Sequence, residues 1–234
     1  MKNLLITFIL CGAGTGLSAQ TILQQFAAIS AGSGTVSDMD LPNPTAEGSV
    51  IIASPMQLSP DVKLESITDN APGGGNTYKP VPGAMSFCAK KALEIWYCEN
   101  CKGGVTELKF HLTGHVRASI NGFMEVSGLA VPAKLDGNGV SLNDGVATSA
   151  GSFVGPNLKT SAKDFVIARY FVDPPIPTGV TPAAWTYKST YVYGLNLAPG
   201  SYQPTLTGGK ANGSFCMSMA AFKVADSAPA AKAN

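Results

Sequence analysis

The sequence predicts an all-β fold, because apolar and polar residues alternate in short stretches separated by turn-forming residues. The chain has 234 residues, of which 26 are glycine and 16 are proline, and 45% are hydrophobic. Glycine and proline at this density are typical of many short strands joined by turns. A chain of this length can bury one sizeable core, so we expect residues 20–225 to form a single domain.

The clearest local signal predicts a β-hairpin over Ala92–Leu112, where two alternating stretches flank a turn at Gly103 and Gly104. Side chains alternate between the two faces of a strand, so one face of this hairpin is expected to be buried. Further along, Asn121 and Gly122 predict a turn or bulge.

Two apolar runs predict strands. Val50–Ala53 is rich in β-branched residues, which pack well on a pleated surface. Lys163–Val172 is the strongest apolar run after the start of the chain, and it predicts a central strand that is buried on both faces.

Residues 1–19 have the pattern of a secretory signal peptide: a positively charged start, the apolar run Leu4–Leu10, and small residues before Gln20. Cys11 follows large apolar residues, so lipidation is not expected. No later apolar run reaches the ~20 residues of a membrane helix. The mature protein is therefore expected to be secreted or attached to the cell surface, and residues 226–234 are expected to form a disordered tail.

The composition argues against a nucleic-acid partner. Only 13% of the residues are charged, and the formal net charge is +1. Neutralisation of phosphates requires clustered lysine and arginine side chains, which such a composition does not supply.

A series of short segments resembles a module found repeatedly in large secreted bacterial proteins. The segments are SVIIASP, KLESITDN, GNTYKPV, LEIWYCENCKGGVTELKFHL, INGFMEVSGL and GSFCMSMAAFKV. The module has a "VTDxAGNTY" strand and turn, an "IWYAKN" strand, a "GxxTVTVTF" strand, an "EYSGL" strand and an apolar closing strand. The resemblance covers Thr21 to Val224 and implies an antiparallel β-sandwich of the jelly-roll or immunoglobulin-like kind, without a catalytic signature.

Four cysteines follow the predicted signal peptide, and an even number in an exported chain favours two disulfides. Of the three arithmetic pairings, we favour Cys88 with Cys216 and Cys98 with Cys101. The Cys-x-x-Cys spacing has two alternatives. A redox pair would require a helix N-terminus, and a zinc site would require two more ligands at paired spacing. We therefore prefer a structural disulfide as the interpretation.

Metal ligands are candidates in two places. Asp136, Asn138 and Asp144 place oxygen atoms on glycine-containing loops that calcium would accept, with ordinary Asx turns as the alternative. His111 and His115 are weak metal candidates, with a polar strand surface as the alternative. No cofactor other than calcium is expected.

Three carboxylates on expected strands raise the question of glycoside hydrolysis: Glu94, Glu107 and Glu125. That reaction requires two carboxyl groups about 5 to 9 Å apart in a cleft, and nothing in the sequence brings any two of these together. No serine has the surroundings of a nucleophile elbow. We therefore expect a protein that is not an enzyme.

The candidate ligand-binding residues are aromatic. Trp185, Tyr187, Tyr191 and Tyr193 share parity, so one continuous strand would place them on one face. An exposed face of this kind would stack sugar rings, whereas a buried one would be part of the sandwich core.

These observations predict an exported, non-catalytic surface or matrix module that adheres to polysaccharide or to other surface proteins. The alternative is a structural subunit of an extracellular filament or surface layer. In that hypothesis, Thr21–Ile29 is a strand donated to the sheet edge of a neighbouring copy. A glycoside hydrolase-like enzyme is the third hypothesis.

Overall fold

The computed structural model describes residues 20–57, 59, 61–172, 176–188 and 190–225, and all of its named elements are β-strands. The predicted all-β, antiparallel sandwich is confirmed. The strands are β1 (Thr21–Asp40), β2 (Val50–Gln57), β3 (Leu64–Asp69), β4 (Tyr78–Cys88), β5 (Lys91–Cys98), β6 (Glu107–Ser127), β7 (Val140–Val146), β8 (Phe153–Val154), β9 (Leu158–Thr160), β10 (Asp164–Val172), β11 (Gly179–Thr181), β12 (Thr186–Lys188), β13 (Tyr191–Leu197), β14 (Gly200–Tyr202), β15 (Thr205–Thr207) and β16 (Ser214–Lys223).

The predicted signal peptide (1–19) and the predicted tail (226–234) lie outside the described residues. Within the described part of the chain, no helix has the length and apolar character needed to span a membrane.

Two large antiparallel sheets form the body of the molecule. The first has the order β1-β6-β2-β5-β4, with β3 paired to β6 off this path. The second has the order β12-β13-β10-β16-β7. Two small sheets, β11-β15-β8 and β14-β9, accompany them.

Strands β1 and β6 run side by side over their whole length and contribute to two layers. The C-terminal half of β6 lies between β1 and β2, whereas its N-terminal half lies between β1 and β3. The β1–β6 register shifts between Ala31 and Gly34, and again between Gly34 and Val36. Shifts of this kind bend a strand and increase its twist. The bend separates the two halves of the ribbon.

The apolar residues form separate layers on the two faces of each large sheet. In β2, Ile51 and Ala53 face a core shared with β3 and the start of β6, whereas Val50 and Ile52 face the second sheet. This double burial explains why β2 is apolar at successive positions and does not alternate.

Strand β10 shows the same double burial, which confirms the prediction for Lys163–Val172. Phe165 and Ile167 face the first sheet, while Val166 and Ala168 face a third core beneath the small sheets. The second sheet is therefore covered on both faces.

The predicted Ala92–Leu112 hairpin is wrong, because β2 lies between β5 and β6. Ala53 of β2 is opposite both Trp96 of β5 and Phe123 of β6. Gly103 is not part of a hairpin turn. It allows the loop after β5 to pass close to Glu47, since a β-carbon on Gly103 would lie 2.6 Å from the backbone nitrogen of Glu47. The local pattern identifies both strands, but an earlier apolar strand occupies the position between them.

The disulfides have the pairing that the cysteine spacing favours. Cys88 of β4 is bonded to Cys216 of β16, with Cα atoms 5.6 Å apart, so this bond links the two large sheets. Cys98 is bonded to Cys101, with Cα atoms 5.7 Å apart, and closes a small loop after β5. Both pairs lie in buried surroundings.

Candidate functional site

Strand β1 forms one edge of the first sheet. It pairs with β6 along one side, and no described strand pairs with its other side. An edge strand presents unpaired backbone N–H and C=O groups that can add a further strand. With 20 residues, β1 is much longer than an ordinary strand of about five or six residues.

The side chains of β1 make this edge apolar. Four large hydrophobic side chains are exposed: Leu23 (45%), Phe26 (38%), Ile29 (72%) and Val36 (45%). The strand contains no proline or lysine, and its only charges are two aspartates at its C-terminal end. The features that soluble proteins use to block edge pairing, such as charge and proline, are therefore missing from residues 21–37.

The opposite edge of the same sheet is protected. Strand β4 contains Pro80 and Pro82, and its register with β5 shifts between Pro80 and Met85. The start of β7 also lies against it, because the backbone N–H of Gly139, the residue before β7, donates to the carbonyl of Pro82 at 2.8 Å. At the outer edge of the second sheet, β12 has only three residues and ends in Lys188. The long, apolar β1 edge differs from both.

Side-chain hydrogen bonds hold β1 to β6 near both of its ends. Gln24 donates to the buried carboxylate of Glu125 at 2.8 Å. Near the other end, Asn121 donates to Ser37 at 2.6 Å, and the hydroxyls of Ser37 and Ser119 are 2.9 Å apart. These contacts position the strand within its own chain and leave its outer edge open.

A groove of about 240 Å³ runs beside the open edge. Phe26 and Gln25 of β1 form one wall, and Lys188, Thr190 and Tyr191 form the other. The side-chain oxygen of Gln25 is buried without a hydrogen-bond partner. The groove places both apolar and polar side chains next to the backbone edge.

The aromatic residues do not form an exposed platform, which was one of the two interpretations of their spacing. Trp185, Tyr191 and Tyr193 are buried, and Tyr187 is partly buried. They also do not share a face: Tyr191 and Tyr193 face the first sheet, whereas Trp185 and Tyr187 belong to the third core. The chain reverses between β12 and β13, so parity counted along one continuous strand does not apply.

The three candidate carboxylates have separate partners. Glu94 accepts a hydrogen bond from the indole of Trp96 at 2.8 Å, and burial raises the pKa of Glu94 above its usual range. Glu107 lies 3.3 Å from the amine of Lys109, and Glu125 accepts from Gln24 and from the loop before β2. Among the described side-chain contacts, no partner is shared between two of these carboxylates.

The candidate calcium ligands lie in different surroundings. The carboxylate of Asp136 is buried and accepts hydrogen bonds from the Ser161 hydroxyl at 2.6 Å, from the Ser161 backbone and from the Ala162 N–H at 3.0 Å. Asn138 and Asp144 are exposed. In the described part of the chain, no three His, Cys, Asp or Glu side chains form a group that could hold a metal. Calcium binding stays a prediction.

The two histidines lie near the bent end of the first sheet. His111 pairs with Thr68 through a hydrogen bond of 2.8 Å, and His115 is exposed further along β6.

A polar pocket of about 410 Å³ lies at the end of β4 and β5, next to the Cys98–Cys101 loop. It is lined by Gly75, Asn76, Thr77, Lys79, Glu99, Asn100 and Lys102. Asp69 supports one wall, because it accepts hydrogen bonds from Asn76 and, at 2.6 Å, from the hydroxyl of Tyr78. Burial, together with Asp69, raises the pKa of Tyr78 well above its usual range, so this hydroxyl remains a donor.

No protein-family model and no curated protein sequence matches the chain. Among solved structures, it is similar to a chain from the work "Life in the extremes: atomic structure of Sulfolobus Turreted Icosahedral Virus". That similarity has a TM-score of 0.29 and 11% sequence identity, over 89% of this chain and 91% of the viral one. At this TM-score the likeness carries no argument about function.

Sequence reasoning finds only part of the open edge. It identifies the segment Thr21–Ile29 as apolar, but the strand continues to Asp40 and pairs within its own chain. Sequence reasoning gives no role to Arg169, which is fully buried in β10. An arginine in the middle of the apolar run DFVIARYFV is a signal that can be read without a structure.

Proposed function

We propose that this protein is a structural subunit of an extracellular assembly, in which β1 of one copy adds to the sheet of a second copy. The single observation that carries the proposal is the open, apolar edge of β1, which has neither charge nor proline over residues 21–37. The two disulfides favour an oxidising compartment, and the predicted signal peptide favours export.

The occupant of this edge is a second copy of the same chain. Identical edges pair antiparallel around a two-fold axis, so each copy contributes the same residues to the interface. Pairing of the regular part, residues 24–31, would centre the axis between Ala27 and Ala28 and place Phe26 opposite Ile29 of the second copy. The joined sheet would then satisfy backbone groups on both copies, and the exposed Phe26 and Ile29 would be covered.

The test measures the molecular mass of residues 20–234 by light scattering after size-exclusion chromatography, over a range of concentrations. We expect a dimer or larger species for the natural chain. The double variant Phe26→Lys/Ile29→Lys should weaken association by about two orders of magnitude, because it places like charges opposite each other at the interface.

The matched control is the double variant Val146→Lys/Val154→Lys. These valines are also exposed (64% and 42%) but lie away from β1, so the control should associate like the natural chain. A natural chain that stays monomeric at all concentrations, or an assembly that survives the β1 substitutions, would exclude the proposal.

Binding of carbohydrate or another polar surface ligand is a second candidate function, favoured by the polar pocket beside the Cys98–Cys101 loop. Its exposed amide and charged groups are of the kind that hydrogen-bond sugar hydroxyls. A glycan panel tests this function with the natural chain and the Asn100→Ala variant. Loss of binding in Asn100→Ala with the fold intact would support carbohydrate binding. The absence of binding by the natural chain across a broad panel would reject it.

A further inference from the structure

A further pocket, of about 230 Å³, lies between the two large sheets. Met56 and Ile120 line it from the first sheet, and Arg169 and Phe171 line it from the second. Met56 belongs to the apolar cluster around the Cys88–Cys216 disulfide, and Ile120 and Phe171 pack against that cluster. The sheets are therefore linked covalently beside a space that side chains do not fill.

The guanidinium of Arg169 forms the only cationic part of the described pocket lining, and the residue is fully buried. Its Nη1 donates to the carbonyl of Thr190 at 2.9 Å, and its Nη2 donates to the carbonyl of Ile120 at 3.2 Å. Its Nε has no hydrogen-bond partner. A guanidinium has five N–H donors, so capacity remains for a further acceptor.

The charge of Arg169 lacks an anionic partner among the described residues. None of the ion pairs in that part of the chain includes it. The ring of Tyr191 lies 5.1 Å from the guanidinium carbon and offers only its π face. Burial lowers the pKa of Arg169, which reflects the cost of a charge removed from water.

In a purely structural role, Arg169 would link the two sheets through its hydrogen bonds. The two carbonyl contacts fit that role, but neutral carbonyls do not balance a buried positive charge. Linkage of the sheets also does not explain the unfilled space that Arg169 lines, since sandwich cores are normally close-packed. An anion in this space would account for both features.

We propose that this pocket binds a small organic anion, with its carboxylate against Arg169 and its apolar body against Met56, Ile120 and Phe171. The size agrees with this class of ligand, because an engineered apolar cavity of about 150 Å³ holds benzene. A pocket of about 230 Å³ therefore has room for one ring and a carboxylate. Ile176, which is 55% exposed, lies at the rim where such a ligand would enter.

The experiment compares benzoate with benzyl alcohol, which has a similar ring but no charge. Calorimetry measures affinity, and methyl NMR shifts of Met56 and Ile120 report the location. We expect benzoate to bind the natural chain at least about tenfold more tightly than the alcohol, because a charge-assisted hydrogen bond forms in a dry site. In Arg169→Met, which keeps an apolar side chain of similar length, that preference should disappear.

A second variant keeps the test independent of whether Arg169→Met folds. Ile176→Trp places a bulky side chain at the rim and should reduce the affinity for both probes, whereas Val146→Trp, on an exposed strand elsewhere, should leave it unchanged. The proposal is overturned if neither probe binds at millimolar concentrations or if both bind equally well. It is also overturned if the benzoate preference persists in Arg169→Met.

Discussion

Gly122 has no side chain, and this leaves space for the side chain of Tyr191. Asn121 and Gly122 predict a turn or bulge, but β6 continues through them without a register shift, so that prediction is wrong. The hydroxyl of Tyr191 occupies the space instead: a β-carbon on Gly122 would lie 1.6 Å from it. The same hydroxyl accepts a buried hydrogen bond from Ser54 at 2.7 Å.

Gly122→Ala should therefore destabilise the protein by about 1–3 kcal/mol, because the methyl group forces Tyr191 out of its position. Urea denaturation followed by fluorescence measures the free energy of unfolding. Gly34→Ala is the matched control, since its added methyl would meet nothing closer than 3.4 Å. Equal stabilities of the two variants would show that the close approach at Gly122 has no energetic consequence.

Asp136 and Asp164 form a buried acidic pair whose members titrate in opposite directions. Burial opposes ionisation of Asp136, but hydrogen bonds from Ser161 and Ala162 outweigh it and hold the pKa of Asp136 below its usual range. Burial and the neighbouring carboxylate of Asp136 raise the pKa of Asp164 to about 7. Asp164 is thus protonated in the folded protein at mildly acidic pH.

This difference predicts a loss of stability as the pH rises. The folded state holds the Asp164 proton more tightly than the unfolded chain, whose aspartate pKa is about 3.9. Rising pH between about 4 and 7 therefore favours unfolding, and the contribution of Asp164 is fully present only below that window. Asp164→Asn should remove this contribution and flatten the stability profile across the same window.

Chemical denaturation at several pH values measures the two profiles. Asp144→Asn, at an exposed position with a φ of 44° that asparagine tolerates, is the control and should follow the natural chain. If the natural chain and Asp164→Asn depend on pH in the same way, the raised pKa of Asp164 is refuted.

At the scale of elements, strands inside a sheet and strands at its edge should differ in how well their backbone amides are protected. Strands β2, β5, β10 and β16 lie inside their sheets, whereas β1 has one free edge. Backbone amides that point away from β6 should therefore exchange with deuterium rapidly in a monomer, while amides of β10 should exchange slowly.

Assembly by sheet extension adds a specific expectation for β1. Its outward amides within residues 24–31 should become protected in the assembled protein and should return to fast exchange in Phe26→Lys/Ile29→Lys. Residue-resolved hydrogen exchange distinguishes this from simple contact between apolar side chains. If these outward amides exchange equally fast in the monomer and in the assembly, the copies associate without a shared sheet.

At the scale of the whole molecule, the two disulfides should contribute unequally to stability. The Cys88–Cys216 bond has a sequence separation of 128 residues, and the Cys98–Cys101 bond has a separation of 3. In the loop-entropy model these correspond to about 5 and about 2 kcal/mol. Cys88→Ala/Cys216→Ala should lower the unfolding midpoint more than Cys98→Ala/Cys101→Ala.

Non-reducing peptide mapping of the exported protein comes before that comparison. A peptide joining Cys101 to Cys216, or four free thiols, would remove the basis for the ranking. The size of the difference depends on native packing and on residual structure in the unfolded chain, so the order of the two midpoints is the quantity to compare.

Local composition and spacing were sufficient to predict the fold class, the double burial of β10 and the favoured cysteine pairing. A run such as DFVIARYFV must be buried on both sides, whatever its neighbours are, because water would otherwise meet a continuous apolar surface. The lack of charge at the apolar start of β1 is also visible in the letters alone, whereas the exposure of its side chains is not.

The neighbours of each strand and the faces left open depended instead on how the whole chain packs. Strand pairing depends on backbone groups that every residue shares, so the sequence of β5 and β6 could not report that β2 would lie between them. The reversal between β12 and β13 likewise placed Trp185 and Tyr191 on opposite faces. The burial of Arg169 and its unpartnered Nε are properties of the packed chain, and they make it a candidate site only because two sheets meet around it.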